Sequence, residues 1–237
     1  MDIFLRMKKI TVIVPAYNEE QTIINLLERV NAQSVAGFLF EIIVIDDGSR
    51  DGTLAALEDR SDLYDKIVKQ TPNQGKGAAV IAGLKQASGD YVLFQDADLE
   101  YNPDEYEGLL FPVKEFDADI VMGSRFLSPR YTRVHYFWHK VGNRFITLIF
   151  NILFNTTFSD IYSCYLLYRR KLVDPDDLRS TGWEQHAEIL ARARKKGDVF
   201  YEVPISYHGR AYAEGKKIKA QHVIPVIWMI IKQRFFG

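Results

Sequence analysis

The stretch Glu41-Ile-Ile-Val-Ile-Asp-Asp-Gly-Ser-Arg-Asp-Gly-Thr53 decides the fold class. Its first half is a run of β-branched apolar residues, which is typical of a strand buried on both faces. Its second half is a polar turn with two glycines, after which residues 53–59 are predicted to form a short helix. The stretch therefore predicts a β-strand that ends in an acidic loop and leads into a helix.

The same order of strand, polar loop and helix recurs on both sides of this stretch. Further strands are predicted at Ile10–Val14, Lys66–Lys69, Tyr91–Phe94 and Asp119–Met122. Further helices are predicted over residues 20–33 and from Gly75 onwards. Strands that alternate with helices predict an α/β fold with a mostly parallel sheet flanked by helices and joined by right-handed crossovers.

Polar or acidic residues follow nearly every predicted strand, at residues 15–20, 46–51, 96–100 and 124–125. Ligands of open α/β sheets bind outside the carboxyl ends of the strands, so we expect the functional site there. The sequence has no G-x-G-x-x-G after its first strand and no Walker A pattern, so the usual dinucleotide and P-loop sites are not predicted. A metal ion is expected to bind the phosphates instead.

Composition places the chain among globular proteins, with 47% hydrophobic and 26% charged residues in a total of 237. The single cysteine, Cys164, excludes an internal disulfide and a four-cysteine zinc site. The apolar runs Phe145–Phe154 and Val223–Ile231 are shorter than the ~20 residues that cross a bilayer. The first residues do not have the layout of a signal peptide, so we expect a cytoplasmic protein.

The net charge of −1 conceals an asymmetry along the chain. Residues 41–124 include 18 acidic and seven basic residues, whereas residues 125–237 include nine acidic and 19 basic residues. An acidic half suits a divalent cation, and a basic half suits phosphates or an anionic membrane face. The near-neutral total and the absence of a recognisable reader motif argue against nucleic acid as a partner.

Three carboxylates follow the predicted strand Tyr91–Phe94. Asp96 and Asp98 are two residues apart, so in extended backbone their side chains share a face, and Glu100 continues this period. Oxygen ligands of this kind suit Mg²⁺ or Mn²⁺ bridging a diphosphate. The alternative is an acidic loop that only caps the next helix. We predict that Asp96, Asp98 and Glu100 bind the metal.

The chain resembles family 2 glycosyltransferases of GT-A fold in a series of ordered motifs. These are Pro15-Ala-Tyr-Asn-Glu19, Asp46-Asp-Gly-Ser49, Asn73-Gln-Gly-Lys-Gly77, Asp96-Ala-Asp98 and Gly123-Ser-Arg125. The second half resembles the dolichol-phosphate mannose synthase-like branch, the polyprenyl-phosphate glycosyltransferases, at residues 159–165, 168–171, 202–205 and 210–218. The resemblance implies one domain over residues 1–220, in which a Rossmann-like nucleotide-sugar half (1–125) is fused to an acceptor half (126–220).

The resemblance also implies a site for a nucleotide-diphosphate sugar, either a UDP- or a GDP-hexose. The residues implied in donor binding are Pro15, Tyr17, Glu19, Asp46, Asp47, Lys76, Asp96, Lys216 and Lys217. Asp47 and Asp46 would contact the nucleobase, and Lys216 or Lys217 would close with Arg210 over the leaving diphosphate. The catalytic residues implied are Asp98, Arg125, Arg210 and Glu188.

Arg125, with Arg144 as a second contact, is implied in binding an acceptor phosphate. A polyprenyl phosphate is already anionic at pH 7, because the second pKa of such a phosphate is ~6, so it needs cations rather than a strong base. The stretch Arg125–Arg144 has five basic residues and no acidic one, which fits this acceptor. We predict inverting, metal-dependent transfer of a hexose to a polyprenyl phosphate such as dolichyl or undecaprenyl phosphate.

Two alternative functions stay open. The same fold can act on a sugar or glycolipid hydroxyl in cell-surface polysaccharide synthesis, with Glu188 as the base. Residues 183–188 depart from the family's aromatic-acidic-aromatic run at Gln185 and His186, which leaves the acceptor geometry open. The other alternative is a non-catalytic subunit that binds nucleotide without turnover.

The C-terminal residues 221–237 predict membrane contact without crossing. Their apolar patch contains Trp228 and is flanked by Lys219, Lys232 and Arg234. A basic-flanked amphipathic helix shorter than a membrane span is typical of one that lies in the interface. We therefore expect a peripheral protein on the inner face of the membrane. A core helix, a homodimer contact or a separate membrane anchor are the alternatives.

Overall fold

The computed structural model describes residues 7–127, 137–209 and 223–237. The strands are β1 (Lys8–Ala16), β2 (Phe38–Asp46), β3 (Lys66–Lys69), β4 (Tyr91–Phe94), β5 (Ile120–Ser124), β6 (Leu166–Arg169) and β7 (Phe200–Pro204). The helices are α1 (Ile23–Asn31), α2 (Thr53–Asp59), α3 (Lys76–Leu84), α4 (Tyr106–Phe116), α5 (Phe137–Phe154), α6 (Gln185–Lys196) and α7 (Val223–Phe236).

The strands form one seven-stranded sheet in the order β3-β2-β1-β4-β6-β5-β7. In this sheet β6 runs antiparallel to β4 and β5, and the other pairs are parallel. The predicted mostly parallel α/β sheet is confirmed, and the five predicted strands lie in β1–β5. The sheet places β6, from the second half of the chain, between two strands of the first half. The two predicted halves therefore share one sheet.

The core lies at the centre of the sheet, where Ile10, Val12 and Val14 of β1 are fully buried. Helix α3 packs on this region through Gly83, where an added Cβ would come within 2.6 Å of Ile45 Cδ1. Because glycine lets the helix approach closely, α3 lies directly against β1 and β2. This packing holds the start of α3, with Lys76, near the carboxyl ends of these strands.

The predicted C-terminal helix is present as α7, which packs against α5 and α6. It buries Val226, Met229, Ile230 and Gln233 and exposes Trp228. The Nζ of Lys195 on α6 donates a hydrogen bond to the carbonyl of Gln233, which ties the two helices together. Among the described helices, none is long and apolar enough to cross a membrane.

Candidate active site

A cleft of about 640 Å³ opens where β1, β2 and β4 end, at the edge of the sheet predicted to bind ligands. The predicted site residues that line it are Pro15, Tyr17, Glu19, Asp47, Lys76, Asp96, Asp98, Glu100 and Arg125. The structure therefore brings most of the predicted donor site together. Asp46, Arg144 and Glu188 do not line the cleft, and Arg210, Lys216 and Lys217 lie outside the described residues.

Asp96 and Lys76 form an ion pair in the floor of this cleft, with Lys76 Nζ 2.6 Å from Asp96 Oδ1. Burial disfavours both charges, but each group stabilises the other, so the pKa of Asp96 is lowered and that of Lys76 is raised. The Lys76 ammonium also lies 5.1 Å from the centre of the Trp183 ring, which holds it over the cleft. A fixed cation therefore stands beside the first aspartate.

Asp98 differs from Asp96 in its electrostatic environment. Burial, together with the charges of Asp96 and Glu100, raises the pKa of Asp98 above the usual carboxyl range. Its Oδ1 accepts a hydrogen bond from the backbone N–H of Glu100 at 3.2 Å. This concentration of negative charge favours a bound cation. Two neighbouring carboxylates fit Mg²⁺ or Mn²⁺, which commonly use one or two protein carboxylates together with substrate phosphates.

Glu100, the third predicted metal ligand, has a protein contact of its own. Its Oε2 accepts a hydrogen bond from the Tyr207 hydroxyl at 2.6 Å. Within the described part of the chain, no three His, Cys, Asp or Glu side chains are close enough together to hold a metal ion. The prediction of a third ligand rested on extended backbone, in which alternate side chains share a face. In the structure Leu99 has a φ of 60°, so the chain turns between Asp98 and Glu100. The assignment of Asp96, Asp98 and Glu100 as metal ligands therefore stays a prediction, in which Glu100 would have to share its carboxylate with Tyr207.

Asp47 shapes the loop that precedes α3. Its carboxylate accepts hydrogen bonds from the Asn73 side chain at 2.8 Å and from the backbone N–H groups of Gln74 and Gly75 at 2.8 and 3.0 Å. Asp46 is buried, and its Oδ1 has no hydrogen-bond partner. The DDGS motif therefore has a structural role that the sequence did not reveal, because Asp47 positions the loop that carries Lys76.

Arg125 lies at the other end of the cleft, after β5. It makes a two-pronged ion pair with the buried Asp160, from Nε at 2.7 Å and Nη2 at 2.9 Å. Its guanidinium also stacks over the Tyr207 ring at 5.1 Å. Burial opposes the charge, but Asp160 outweighs it and the pKa of Arg125 stays well above its ordinary value. Arg125 is thus a permanently charged and rigidly held cation.

Phe126 brings two further cations close to Arg125. The charged groups of Arg125, Lys140 and Arg144 lie 5.8, 5.8 and 5.9 Å from the centre of the Phe126 ring. We call these three residues the cation cluster. Arg125 and Arg144, the two predicted acceptor-phosphate contacts, are therefore neighbours although they are 19 positions apart. Lys140 was not singled out for this role from the sequence. Converging cations of this kind attract a phosphate.

The cleft becomes apolar beyond Arg125, where α5 and α7 form its wall. Trp138 and Ile146 of α5 and Val223 and Val226 of α7 line this part. On its outer side, α5 exposes a row of large apolar side chains, which we call the exposed α5 face. It consists of Phe137, Trp138, Val141, Phe145, Leu148 and Ile152. The cleft thus joins a charged end to an apolar end that continues onto the surface.

Glu188, the residue predicted as a catalytic base, lies away from the cleft. Its side chain is 1% exposed and does not line the cleft. The carboxylate accepts hydrogen bonds from the backbone N–H groups of Arg179 and Ser180 and from the side chains of Arg192 and Gln233. All four donors hold the fold together, so the structure gives Glu188 a structural place and not that of a catalytic base.

Two segments that the sequence did not assign to the site complete its wall. Tyr162, Ser163 and Cys164 come from the loop before β6, and Trp183 and His186 from the start of α6. The Tyr162 hydroxyl donates a hydrogen bond to the Trp183 carbonyl at 2.9 Å, which joins the two segments. The signal available in the sequence was the departure from the family pattern at Gln185 and His186.

The sheet order, the paired aspartates at its carboxyl edge and the two-ended cleft define an α/β domain of GT-A type. More particularly, the chain belongs to glycosyl transferase family 2, whose family profile matches residues 11–175. This match confirms the resemblance seen in the sequence motifs.

Two curated relatives illustrate the position of the chain in this family. It is 30% identical over 211 residues to the dolichol-phosphate mannosyltransferase of Pyrococcus furiosus, covering 88% of this chain and 59% of the relative. It is 30% identical over 222 residues to the undecaprenyl-phosphate 4-deoxy-4-formamido-L-arabinose transferase of Proteus mirabilis, covering 91% of this chain and 65% of the relative. The chain therefore spans less than two thirds of the length of these relatives.

Solved structures agree on the fold. Glucosyl-3-phosphoglycerate synthase from Mycobacterium tuberculosis, in complex with Mn²⁺, UDP and glucosyl-3-phosphoglycerate, aligns with a TM-score of 0.71 at 21% identity, covering 97% of this chain and 81% of that chain. The synthase with Mg²⁺ and UDP gives a TM-score of 0.71 at 20% identity, covering 97% and 80%. These neighbours confirm the predicted GT-A fold.

Proposed function

We propose that this chain transfers a hexose from a nucleoside-diphosphate sugar to a polyprenyl phosphate. The observation that carries the proposal is the position of Arg125, which lines the cleft between the paired aspartates and the apolar wall. The other two members of the cation cluster, Lys140 and Arg144, lie beside it at the Phe126 ring. The two substrates have matching groups in the same order, namely the diphosphate of the donor, the phosphate of the acceptor and the prenyl chain. The proposal is also supported by the names of the two relatives, a dolichol-phosphate mannosyltransferase and an undecaprenyl-phosphate 4-deoxy-4-formamido-L-arabinose transferase.

The donor would occupy the end of the cleft formed by β1, β2 and β4. Pro15, Tyr17 and Glu19 line the part expected to hold the nucleoside, and Asp96 and Asp98 would hold Mg²⁺ or Mn²⁺. When bound, the ion would neutralise the diphosphate and so improve it as a leaving group. Lys76, beside Asp96, is placed to add a second positive charge to the same phosphates. A UDP- or a GDP-hexose fits this arrangement.

The acceptor phosphate would bind in the cleft at Arg125, the member of the cation cluster that lines it, and attack the sugar from there. A phosphate monoester carries its own negative charge at pH 7, so no general base is required. The apolar wall formed by Trp138, Ile146, Val223 and Val226 would contact the start of the prenyl chain. An acceptor with a hydroxyl group would need a base, and Glu188, the residue predicted for that role, lies outside the cleft. The phosphate acceptor is therefore favoured.

The exposed α5 face would place the domain on the membrane that holds the prenyl chain. Phe137, Trp138 and Ile152 on this face are 69%, 76% and 70% exposed, and Lys140 and Arg144 lie on the same helix. Large exposed apolar side chains beside cations are typical of a helix bound in the membrane interface. Contact with the inner, cytoplasmic face of the membrane is part of this proposal, and α7 with Trp228 would lie beside α5.

Incubation with polyprenyl phosphate, Mn²⁺ and radiolabelled UDP- or GDP-hexoses tests the proposed transfer. The expected product is a glycolipid in which the sugar is joined through phosphate and is released by alkali. Arg144→Gln should raise the KM for polyprenyl phosphate about tenfold, because it removes one cation from the cluster. Arg60→Gln, at an exposed arginine that pairs with Glu28 and Asp62, is the control and should leave KM unchanged.

Two results would overturn the proposed transfer, and a third would overturn the proposed membrane contact. Labelled product that forms only with a hydroxyl acceptor would place the chain in the alternative class of glycosyltransferase. Binding of nucleoside diphosphate with no turnover on any acceptor would make it a nucleotide-binding subunit. Failure to float with liposomes that contain anionic lipid at low salt would remove the membrane part of the proposal. The role of Arg210, Lys216 and Lys217 in closing over the diphosphate stays a prediction from the family resemblance.

A further inference from the structure

Three polar side chains in the cleft wall each leave a buried atom without a hydrogen-bond partner. These atoms are Ser163 Oγ, Gln185 Oε1 and His186 Nε2. The three residues are 1%, 5% and 7% exposed, and all of them line the cleft. Most buried polar groups in folded proteins are hydrogen-bonded, because an unpaired one is destabilising. Three such atoms around one cleft therefore indicate groups that a ligand satisfies.

The chemistry of these groups indicates which ligand they take. A hydroxyl, an amide and an imidazole are all uncharged here, because burial and the charge of Lys76 lower the pKa of His186 to about 4. Neutral donors and acceptors suit the hydroxyl groups of a sugar, whereas phosphates in this cleft have Lys76 and the cation cluster nearby. A site built from such groups also discriminates strongly, since a missing or misplaced hydroxyl leaves a buried polar atom unpaired.

Their position fits the sugar as well. Ser163 precedes Cys164, whose thiol lies beside Asp96, and the ring of His186 lies 6.2 Å from the rings of both Phe94 and Tyr162. Ser163 and His186 therefore lie close to Asp96 and Lys76, beside which the diphosphate would bind. Gln185 precedes His186 and lines the same cleft. In a nucleotide sugar the hexose is bonded to that diphosphate, so its hydroxyl groups must lie within a few ångströms of it.

We propose that Ser163, Gln185 and His186 form the hexose-binding subsite and select which hexose the chain transfers. The proposal rests on the function proposed above. Gln185 and His186 are also the positions at which this chain departs from the family's run of residues, so its sugar preference should differ from that of relatives with aromatic or acidic side chains there. The imidazole packs against the aromatic rings of both Phe94 and Tyr162.

The test compares the binding of a nucleotide with and without its sugar. Dissociation constants for UDP, GDP and a panel of UDP- and GDP-hexoses that are epimers at C2 or C4 are measured by titration calorimetry with Mn²⁺. His186→Phe replaces the imidazole with a somewhat larger apolar ring, and Ser163→Ala removes only the hydroxyl group, so that each variant loses the hydrogen-bonding atom. Each should reduce the preference for the best hexose over its epimers by about threefold to tenfold, the effect of losing one hydrogen bond. Binding of the free nucleotide should stay unchanged.

Ser180→Ala provides the matched control, because Ser180 also has a buried hydroxyl without a partner but does not line the cleft. It should leave the epimer preference as it is in the wild type. An unchanged epimer preference in both His186→Phe and Ser163→Ala would overturn the subsite, even if hexose transfer takes place. Equal weakening of free nucleotide and nucleotide sugar would overturn it too, since that result indicates distortion of the whole cleft. Absence of any nucleotide binding by the wild type would instead refute the proposed function.

Discussion

Glu188 is a buried carboxylate whose surroundings predict a large loss of stability on replacement and little loss of catalysis. Its oxygens accept hydrogen bonds at 2.9 to 3.3 Å from Ser180, Arg179, Arg192 and Gln233. These donors come from the loop before α6, from α6 itself and from α7. Removing the carboxylate would therefore loosen three parts of the fold at once.

The size of the effect follows from these contacts. Glu188→Ala leaves the Ser180 N–H and the Gln233 amide buried without this acceptor and removes one of the two acidic partners of Arg192. Breaking a buried charged network in this way costs about 3–5 kcal/mol. For a domain of this length, 1 kcal/mol corresponds to about 2–4 °C, so the Tm should fall by about 6–20 °C. Glu188→Gln keeps the shape and one acceptor oxygen, and it should cost about 1–3 kcal/mol.

Calorimetry and initial rates at 20 °C separate the structural role of Glu188 from a catalytic one. In the folded Glu188→Gln variant, kcat should stay within about twofold of the wild type, whereas loss of a general base lowers kcat by about 10²–10⁴-fold. Glu107→Gln, at an exposed glutamate on α4, is the control and should change neither quantity. A hundredfold fall in kcat with an unchanged Tm would refute the structural interpretation of Glu188.

Three further predictions concern the floor of the cleft. Gly77→Ala places a Cβ in collision with the Ser180 carbonyl and should lower stability by about 1–3 kcal/mol. Gly108→Ala, with open space around it, should raise stability by about 0.5–1 kcal/mol, and equal Tm changes of the two variants in calorimetry would contradict this. Lys76→Met removes a cation beside the diphosphate site and should weaken UDP or GDP binding about tenfold in titration calorimetry, and an unchanged Kd would contradict its role. Mn²⁺ affinity should rise with pH through neutrality and then level off, because Asp98 has a raised pKa and must lose its proton to bind the ion. A Kd for Mn²⁺ that does not depend on pH would contradict this prediction.

The sequence predicted β1–β5 because each is a continuous apolar run closed by a polar turn. It did not predict β6 and β7, which are four and five residues long. The tyrosines at positions 162, 165 and 168 fit a helix face as well as a strand, so periodicity alone did not distinguish them. What makes residues 166–169 a strand is the gap between β4 and β5, which is a property of the assembled sheet.

The donor site was predictable to the extent that it lies at strand ends. The positions of Asp96, Asp98 and Lys76 followed from the order of strands and helices, because the two aspartates come just after β4 and Lys76 begins α3. The proposed hexose-binding subsite was not predictable in this way, because Ser163 and His186 are 23 positions apart. Their segments are joined by contacts of Tyr162 with Trp183 and with His186, which only the folded chain shows. The structural role of Asp47 was missed for a related reason, since its hydrogen-bond donors Asn73 and Gln74 lie 26 and 27 positions further along the chain.

Helix geometry also explains why His186 and Glu188 cannot share a function. Two positions along an α-helix correspond to a rotation of about 200°, so their side chains leave α6 on nearly opposite sides. His186 lines the cleft, and Glu188 therefore faces the loop of Ser180 and the side chain of Gln233 on α7. The residue after Ser180 accepts a hydrogen bond from the N–H of Gly77 at 2.8 Å, next to Lys76. The C-terminal helix is thus connected through Glu188 to the end of the cleft that would hold the diphosphate, and it belongs to the domain that carries the site.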